Sequence, residues 1–430
     1  MTSTAITPHL YARLLLDSLG LGHLLPTVAD QRPADLLWAM SGAMWLSGHH
    51  NGEPRTCPAP LAACAQGAWL ALATLCPWLD PHFEACRLLG ERAAIAGLTR
   101  RGRVSAGGAC RLLDTADGGL ALNLAREDDS DLLPAWLERE AVAVDELDAI
   151  LKTRPTRPLL ERARLLGLAA APLVPPRPRR NWYQARRHGR KMESGRERPL
   201  VVDLSSLWAG PLCAQLLVQC GARVVKVESI QRPDGARVGP PAFYDLMSSG
   251  KESVALELRQ PEGLAQLRAL LERADIVIES ARPRALEQMG IRAADIVGAG
   301  SGKVWLGITG YGRRAPLREW IAYGDDAGVA AGLSWLMGGN RGDPVFCGDA
   351  IADPLTGLHG ALLALAAWNS GGGQLLDLSL YGVVAHCIGA GPVARGPMAH
   401  HQAEKPLARP PAPAAAELGA DTARILGELL

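Results

Sequence analysis

The residue best placed to do chemistry is an aspartate in an otherwise apolar segment, GDAIADPLTGLHGALLALAAW, which spans residues 348–368. Asp353 stands near the start of this segment, and Asp349 is the only other acidic residue in it. A carboxylate is costly to bury, so two explanations compete: reactivity, or the capping of a helix that begins at Pro354. Capping is a good local explanation because aspartate is a preferred N-cap and proline a preferred first helical residue.

An internal repeat distinguishes these two explanations. Residues 331–365 match residues 41–75 without a gap, at a constant offset of 290 residues. The recurring residues indicate that both copies need the same backbone and packing. Asp353, however, corresponds to Ala63, and a cap needed for stability would have been kept in both copies. The repeat therefore favours a reactive carboxylate at Asp353, with Asp349 as the second candidate. The matching residues are Gly42, Trp45, Leu46, Gly48, Gly52, Pro54, Cys57, Ala62, Gly67, Ala71, Leu72 and Leu75, which recur as Gly332, Trp335, Leu336, Gly338, Gly342, Pro344, Cys347, Ala352, Gly357, Ala361, Leu362 and Leu365.

Length and composition restrict the class of protein. A chain of 430 residues, of which 48% are apolar, predicts two or three domains with ample core. The net charge of +1 gives no reason to expect nucleic acid or an acidic membrane surface as a partner. Nine cysteines without a C-x-x-C pair predict buried thiols in a reducing compartment. Because the N-terminus lacks the basic start of a secretory signal and no apolar run suffices to span a membrane, we expect a cytoplasmic protein.

Strands alternate with helices between residues 199 and 390. Apolar runs rich in β-branched residues, such as RPLVVDLSS, ARVVKVES, DIVIES and KVWLGITG, are separated by helical patterns. This alternation predicts an α/β fold with a doubly wound parallel sheet. Ligands of such sheets bind beyond the carboxyl ends of the strands, so we expect the site in the loops SSLWAGP, ESIQRPDG, ESARPR and TGYG.

The remaining segments complete the predicted domain organisation. Residues 1–84 contain the degenerate copy of the Asp-bearing segment. Residues 85–174 combine a strand pattern around a D-G turn with amphipathic helices, which predicts a small α+β domain. Residues 175–198 are proline-flanked and basic, as in an exposed linker. Residues 391–430 form a Pro/Ala-rich crossing that ends in a short helix.

Several common types of site are missing from the sequence. The turn SSLWAGPLCAQ contains no G-x-G-x-x-G, so NAD is not expected. The chain also has no Walker lysine, no G-x-S-x-G, no H-E-x-x-H and no clustered set of metal ligands. We therefore expect neither the common hydrolase chemistries nor a metal.

Five segments resemble, in the same order, the class III CoA-transferase family (CaiB/BaiF): LWAGPLCAQLLVQCGARVVKVES, GKESVALEL, ADIVIES, ITGYG and IADPLTGLHGALLALAAWNSGGGQLLDLSLYG. The resemblance covers nearly all of residues 199–385. It implies a Rossmann-like large domain, a small α+β domain, and interlocked subunits with the thioester site where a large domain meets a small one.

The order of the segments departs from the family pattern. The degenerate copy and then the small domain come before the large-domain half, whereas in the family the large-domain half comes first and the small domain follows it. One polypeptide could then supply both walls of a site that related proteins build from two chains. A homodimer, interlocked or not, remains compatible with this arrangement.

The resemblance assigns the chemistry to Asp353, which stands at the family's nucleophilic aspartate. The carboxylate would attack an acyl-CoA thioester, hold CoA as an aspartyl thioester and pass it to a carboxylic acid. Gly357 would let the ligand approach closely, and His359 is expected to pack rather than to act as a base. Coenzyme A, as acyl-CoA, and a carboxylic acid are therefore the expected small-molecule partners.

The resemblance also indicates candidate contacts to coenzyme A, although some of these positions depart from the family pattern. Ser229 and Ile230, the stretch ESARPR and the residues around Lys251 differ from the family pattern, so several usual nucleotide contacts are altered. Basic side chains could restore positive charge, because arginine pairs with phosphate bidentately. The candidates are Ala209, Gly210, Pro211, Glu228, Arg237, Lys251, Arg282, Gly310, Tyr311 and Gly357, with Arg284 as a further cation.

Two alternatives stay open. An acyl-CoA racemase or isomerase of the same fold would share the aspartate but carry a histidine in the loop YGDDAG, where Asp325 and Asp326 stand. A two-base proton transfer would then lack its usual imidazole. The other alternative is a catalytically retired protein that binds CoA esters or an active paralogue; the altered contacts motivate it and the retained Asp353 opposes it.

Overall fold

The structure, a computed structural model, describes residues 5–192, 198–339, 342–391 and 401–429. Within these residues, helices join and cover two β-sheets. The strands are β1 (Cys110–Thr115), β2 (Gly118–Asn123), β3 (Ala169–Pro172), β4 (Tyr183–Arg187), β5 (Leu200–Asp203), β6 (Arg223–Ser229), β7 (Glu252–Leu256), β8 (Ile276–Glu279), β9 (Val304–Thr309) and β10 (Gln374–Ser379). The α-helices are α1 (Pro8–Ser18), α2 (Ala34–Met40), α3 (Leu61–Leu75), α4 (Glu91–Ala96), α5 (Leu133–Leu137), α6 (Leu147–Leu151), α7 (Thr156–Leu166), α8 (Ala209–Gln219), α9 (Pro241–Ser248), α10 (Pro261–Arg273), α11 (Pro283–Gln288), α12 (Ala293–Ala299), α13 (Gly324–Ala330), α14 (Leu333–Gly338), α15 (Ala352–Asn369), α16 (Leu380–Gly389) and α17 (Thr422–Leu429).

The larger sheet confirms the predicted α/β fold. Its seven strands lie in the order β4-β10-β9-β8-β5-β6-β7. All neighbours run parallel except β4 and β10. From β5 the chain moves outward through β6 and β7, then returns to β8 on the other side of β5. The carboxyl ends of β5 and β8 therefore meet at the point where the strand order reverses, which is where such sheets bind ligands.

The smaller sheet is antiparallel, in the order β1-β2-β3. Thr115 pairs with Gly118, so the hairpin turns at Ala116 and Asp117. Helices α5, α6 and α7 pack on one face of this sheet around Trp136, and α7 ends at Gly167, whose φ of 74° suits a glycine C-cap. This part of the chain thus combines an antiparallel sheet with helices; a small domain with the bounds 85–174 stays a prediction.

Helices α3 and α15 lie next to each other in the main core, which α1, α8 and α16 also join. Helix α1 packs on α3, and α8 packs on α15. Both central helices are buried on all sides over most of their length. The N-terminal segment thus contributes to the same core as the large-domain half of the chain.

The predicted linker, residues 175–198, contains an element that the sequence analysis did not anticipate. Tyr183–Arg187 form β4, which pairs with β10 at one edge of the larger sheet, so the prediction of a linker does not describe these five residues. Four of them are exposed. Charged side chains on an edge strand discourage pairing with another chain, which explains why a basic segment can occupy this place.

The C-terminal segment covers the opposite edge. Asp421 and Thr422, at the start of α17, accept hydrogen bonds from the backbone N–H groups of Ser253 and Ala255 on β7. Residues 392–400 of the predicted crossing lie outside the described residues. In the part of the chain that the structure describes, no helix has the length and apolar character needed to cross a membrane.

Candidate active site

A cavity of about 1310 Å³ lies at the carboxyl ends of the larger sheet. The loops after β5, β6, β8 and β9, which the sequence predicts as the site, all line it. The facing wall comes from the earlier part of the chain and includes Arg92, Ser105, Asn123 and Arg126. Both walls of the cavity thus belong to one polypeptide.

Asp353 lines this cavity from the start of α15 and is half-buried. The N-cap of α15 is Ile351, and no side chain among the described residues caps this helix end. Asp353 therefore occupies the second helical position, and the capping explanation for its presence is wrong. The helix begins at Ala352, two residues before the proline at which the sequence suggested its start.

Two backbone features hold the Asp353 carboxylate in place. The backbone N–H of Ala209, the first residue of α8, interacts with it and lowers its pKa. It also lies against Gly324, where a Cβ would come 2.1 Å from Oδ2 of Asp353. Because the N-termini of both α8 and α15 point their positive ends at this position, negative charge on the carboxylate is favoured there.

Gly357 serves this arrangement indirectly. A Cβ at Gly357 would lie 2.9 Å from the carbonyl oxygen of Ala209 and 2.9 Å from Cδ2 of Leu212. The close approach that this glycine permits is therefore that of α8, which brings the Ala209 N–H to Asp353. The sequence analysis predicted that Gly357 makes room for a ligand, whereas in the structure it makes room for α8.

The charges around Asp353 come from three neighbours. Burial, with smaller contributions from Asp325 and Asp349, raises the pKa of Asp353, while Arg92 and the Ala209 N–H lower it; the net pKa is about 7. Burial and Asp349 likewise raise the pKa of Asp325 to about 6. Near neutral pH the site therefore holds carboxyl groups poised between their two protonation states.

Arg92 is the main residue of the candidate site that the sequence analysis missed. Its Nε and Nη2 donate to Oδ2 and Oδ1 of Asp349, at 2.8 and 2.5 Å. Asp349 is fully buried and does not line the cavity, so it is not positioned to act as the second candidate nucleophile. These two residues lie 257 positions apart in the chain, and no local pattern marks Arg92.

Asp326, next to Asp325, belongs to a separate buried pair with Asn123. The Nδ2 of Asn123 donates to Oδ1 of Asp326 at 2.9 Å, and the Tyr323 N–H donates to the same oxygen. Burial raises the pKa of Asp326 to about 7. Oδ2 of Asp326 and Oδ1 of Asn123 have no hydrogen-bond partner among the described residues. A proton on the carboxyl group would let it donate a hydrogen bond where the ionised form cannot.

Two residues at the cavity adopt left-handed backbone conformations without being glycine. Leu207 has φ 71° and precedes α8, and Ala350 has φ 42° and precedes α15. Both line the cavity. Such conformations are costly for a residue with a side chain and persist where the surroundings impose them, as they often do at functional sites.

The predicted coenzyme A contacts divide into two groups. Ala209, Gly210, Arg282 and Gly310 line the cavity. The others do not line it, and they are Pro211, Glu228, Arg237, Lys251, Tyr311 and Gly357. Arg284 is outside the lining as well and lies 3.7 Å from Glu319.

Buried ion pairs explain why Lys251 and Arg237 do not reach the cavity. Nζ of Lys251 lies 2.9 Å from Asp203 and also donates to the Pro211 carbonyl. Arg237 forms a bidentate pair with Glu228. A buried carboxylate needs such a partner, so these cations are committed to the fold and not to a phosphate.

A third ion pair shapes the loop that precedes α8. Lys226 donates to Oδ2 of Asp234 at 2.9 Å and to the Ser205 carbonyl. Oδ1 of Asp234 in turn accepts the Leu207 N–H at 2.9 Å. This network holds Leu207 in its left-handed conformation, and it thereby fixes where α8 begins.

Two other arginines at the cavity are not paired with a carboxylate of the described residues. Arg232 and Arg282 line it, are exposed, and form no ion pair within the described part of the chain. Arg126 and Arg318 line it as well but are paired, with Asp129 and Glu287 respectively. Free cationic side chains are therefore available where the loops after β6 and β8 end.

His359 is a packing residue, as expected. It is fully buried, its Nε2 lies 2.8 Å from the Tyr11 hydroxyl, and its Nδ1 lies 2.7 Å from the Leu355 carbonyl. The described residues contain no group of three or more His, Cys, Asp or Glu side chains that could hold a metal.

Comparison with known proteins identifies relatives of the second half of the chain. A family model described as CoA-transferase family III matches residues 197–415, just over half of the chain. Succinyl-CoA–D-citramalate CoA-transferase of Chloroflexus aurantiacus is 32% identical over 197 residues, which are 43% of this chain and 49% of that protein. Human succinyl-CoA:glutarate CoA-transferase is 31% identical over 199 residues, 44% of this chain and 45% of that protein.

Solved structures are similar over a comparable share of the chain. A hypothetical protein from Mycobacterium tuberculosis has 27% sequence identity and a TM-score of 0.41, covering 45% of this chain and 57% of its own. A CaiB/BaiF family protein from Brucella suis has 27% identity and a TM-score of 0.36, covering 44% and 53%. The chain spans about half the length of the curated relatives it matches. Because the family model covers more than half of the chain, the protein belongs to CoA-transferase family III.

Proposed function

We propose that the protein transfers CoA from an acyl-CoA thioester to a carboxylic acid through a covalent intermediate on Asp353. The observation that carries the proposal is the placement of the Asp353 carboxylate in the cavity wall, against Gly324 and next to the Ala209 N–H that lowers its pKa. The names of the relatives, which describe transfer from succinyl-CoA to citramalate or glutarate, support the reaction class.

The first half of the reaction loads CoA onto the enzyme. A carboxylate oxygen of Asp353 attacks the thioester carbonyl carbon, the C–S bond breaks, and the CoA thiolate leaves an acyl-aspartyl anhydride. The thiolate then attacks the aspartyl carbonyl carbon of the anhydride. The donor acid leaves as a carboxylate with the bridging oxygen, and Asp353 is left as a CoA thioester.

The second half repeats these steps in reverse order with the acceptor. The acceptor carboxylate attacks the aspartyl thioester and expels the thiolate, which then attacks the acceptor carbonyl carbon of the new anhydride. The acceptor leaves as a CoA thioester and the Asp353 carboxylate is restored. No step needs a proton to be removed, so the site requires an ionised nucleophile but no general base.

The raised pKa of Asp353 matters for this chemistry. A carboxylate of higher pKa is more basic and therefore a stronger nucleophile, provided that enough of it is ionised. With a pKa of about 7, a substantial fraction is ionised at neutral pH. The Ala209 N–H stabilises that charge, and near the same place it can donate to the oxyanion that forms when the thioester carbonyl is attacked.

The cavity suits a large ligand with an anionic part. The volume of about 1310 Å³ exceeds what a small acid alone would need. Arg232 and Arg282, which form no ion pair with the residues that the structure describes, place guanidinium groups at its lining for phosphates, which arginine binds bidentately. These two residues are our candidates for phosphate contacts, in place of Arg237 and Lys251.

One chain supplies both walls of this cavity, so the proposed site does not require a second subunit. A homodimer stays a prediction, as does the fusion of two part-units that the order of the segments suggests. A cytoplasmic location stays a prediction as well.

A second candidate function follows from Asp325. Asp325 and Asp353 both line the cavity, and their pKa values of about 6 and 7 lie in the range of general bases that work near neutral pH. Two such groups could remove and return a proton on the carbon next to a thioester carbonyl, which is racemase or isomerase chemistry. Exchange of that proton with deuterium from solvent would mark this activity.

One experiment separates these functions. Purified protein is incubated with succinyl-CoA in D₂O buffer, with and without glutarate, citramalate or malate as acceptor, and digested for mass spectrometry. A CoA adduct on the peptide that carries Asp353, absent from Asp353→Asn, supports transfer. Deuterium in the acyl group without an adduct supports the isomerase. Tight CoA binding with neither product would overturn both and leave a retired binding protein.

A further inference from the structure

We propose that Arg92 is a positioning residue of the Asp353 site: the N-terminal part of the chain supplies the guanidinium that balances the carboxylates around the nucleophile. The proposal rests on the function proposed above and deepens it. It assigns a role in the reaction to a segment that lies outside the family match, which begins at residue 197.

The orientation of Arg92 is fixed on three sides. Its bidentate pair with Asp349 holds the plane of the guanidinium. The Trp208 ring lies beneath it, with 5.2 Å between Cζ and the ring centroid. Gly107 borders it on the third side, where a Cβ would come 3.4 Å from Nη2, an ordinary contact distance. A cation stacked on tryptophan and paired with a fully buried carboxylate has little freedom to move.

The helix that carries Arg92 is itself anchored. The neighbouring residue Glu91 is almost fully buried and pairs with Arg409, whose Nε and Nη2 donate to its two carboxylate oxygens at 2.7 Å each. Arg409 belongs to the C-terminal segment, residues 401–429. Helix α4 is therefore held from the C-terminal segment on one side and from Asp349 on the other.

The charge balance shows why this cation is needed. Three elements face Asp353 with charged groups: α4 with Arg92, α13 with Asp325, and the turn before α15 with Asp349. The two carboxylates raise the pKa of Asp353, whereas Arg92 lowers it. Without Arg92 a larger share of the Asp353 carboxyl would be protonated at neutral pH, and a protonated carboxyl group does not attack a thioester.

A purely structural role for the same ion pair is the competing explanation. In that case Arg92 would only neutralise the buried Asp349 and so stabilise the turn that precedes α15. Arg92→Gln and Asp349→Asn break the same ion pair, so a structural role predicts similar consequences for both. An electrostatic role predicts opposite consequences, because one variant removes a positive charge near Asp353 and the other removes a negative one.

The experiment compares wild type, Arg92→Gln, Asp349→Asn and Arg92→Lys. The first measurement is the pH dependence of the rate at which succinyl-CoA forms the adduct on Asp353. The second is the titration of the Asp353 carboxyl carbon by ¹³C NMR in protein labelled with [4-¹³C]aspartate, with the resonance assigned by its loss in Asp353→Asn. We expect both midpoints to move up by about one pH unit in Arg92→Gln and down in Asp349→Asn. Arg92→Lys should restore most of the wild-type midpoint.

Two outcomes would overturn the proposal: midpoints that move in the same direction in both variants, or midpoints that stay at the wild-type value while both variants fold. Folding is checked by circular dichroism and thermal unfolding. If wild type forms no adduct, the proposed function fails, but the NMR titration does not depend on catalysis. A shift in opposite directions would then still support the electrostatic role of Arg92, and its absence would still exclude it.

Discussion

Helices α3 and α15 pack side by side in the same core, and their differences show what the site requires. Each contains a glycine against which another helix lies: a Cβ at Gly67 would come 2.7 Å from the Pro8 carbonyl oxygen, and one at Gly357 would come 2.9 Å from that of Ala209. Ala63 of α3 is fully buried, whereas Asp353 of α15 lines the cavity. The packing of a central helix is therefore achieved without the acid.

The surroundings of the two helices differ as much as the two side chains. Near Asp353 lie the backbone N–H of Ala209, the glycine Gly324, which has no side chain, and the cation Arg92. Ala63 belongs to an apolar stretch, and its two neighbours on each side, Leu61, Ala62, Cys64 and Ala65, are also buried. Of the two helices, only α15 therefore has the set of partners that we propose for a reactive carboxylate.

Asp353→Ala gives α15 the alanine that α3 has at the matching position, and it should have the largest effect on CoA transfer. Loss of the nucleophile removes both covalent steps, so we expect CoA transfer to fall on the order of 10⁴-fold or more. Because the acid is not part of the packing, the fold should persist. Transfer rates with succinyl-CoA and thermal unfolding of the variant give the two readouts. Asp353→Asn, which keeps the shape of the side chain, should be equally inactive; transfer by either variant at the wild-type rate would rule out Asp353 as the nucleophile.

Gly324→Ala should disturb the carboxylate without removing it. The new Cβ would come 2.1 Å from Oδ2 of Asp353 and 2.4 Å from the Ala350 carbonyl oxygen, so both the carboxylate and the turn that precedes α15 must shift. A displacement of about 1 Å at a reacting group can cost on the order of 10²-fold in rate, and we expect a loss of that size.

Gly328→Ala on the same helix is the matched control for this change. A Cβ at Gly328 would meet Leu333 at 3.5 Å and Ile351 at 3.6 Å, which are ordinary contacts. Rates of adduct formation should therefore distinguish the two variants. Equal rates in Gly324→Ala and wild type would mean that the carboxylate is not confined as the structure shows.

Gly357→Ala and Gly67→Ala test whether the two helix contacts differ in their importance for the site. Each adds a methyl group against a neighbouring helix, and overpacking of this kind costs about 1–3 kcal/mol in the free energy of unfolding. Only Gly357→Ala pushes α8 and its Ala209 N–H away from Asp353, so only this variant should also lose turnover, on the order of 10-fold. Denaturant unfolding and steady-state rates measure the two effects. Similar turnover in the two variants would show that the contact between α8 and α15 is structural alone.

The sequence predicted the parts of the fold that depend on local pattern. The strands β5, β6, β8 and β9 were recognisable because continuous apolar runs are typical of strands buried on both faces. The alternation with helices then located the site at the carboxyl ends of the strands, where the cavity lies. Asp353 could be singled out because the chain offers its own comparison, with alanine at the matching position.

The remainder of the site depends on contacts between distant parts of the chain. Arg92 pairs with a residue 257 positions away, and nothing in its local sequence announces that partner. Lys251 and Arg237 were expected at phosphates because their charges looked free, whereas buried Asp203 and Glu228 already bind them. The strand β4 was overlooked because its exposed basic residues do not show the apolar pattern of a buried strand. Periodicity carries no information on which charged residues pair.

Asp326→Asn should have the smallest effect on transfer, since Asp326 does not line the cavity, but it should change how stability depends on pH. The pKa of Asp326 in the folded protein is about 7, above its ordinary value of 3.8. Between these two pH values the folded chain retains a proton that the unfolded chain has lost, so stability falls as the pH rises through this range. The loss attributable to this group is on the order of 4 kcal/mol.

The amide of Asp326→Asn does not ionise and can donate to Oδ1 of Asn123, as the protonated acid can, while its own oxygen keeps the bond from the Tyr323 N–H. Urea unfolding at pH 5 and pH 8 should therefore show a variant that is more stable than wild type at pH 8, with a smaller advantage at pH 5. Asp128→Asn, which removes an exposed carboxylate, controls for the change in net charge and should track wild type at both pH values. A variant that is less stable than wild type at pH 8 would mean that the ionised carboxylate has a partner of its own and that burial does not raise its pKa. Because Asp325 and Asp353 remain in the variant, the difference between the two proteins isolates the contribution of Asp326 from that of the acids at the cavity.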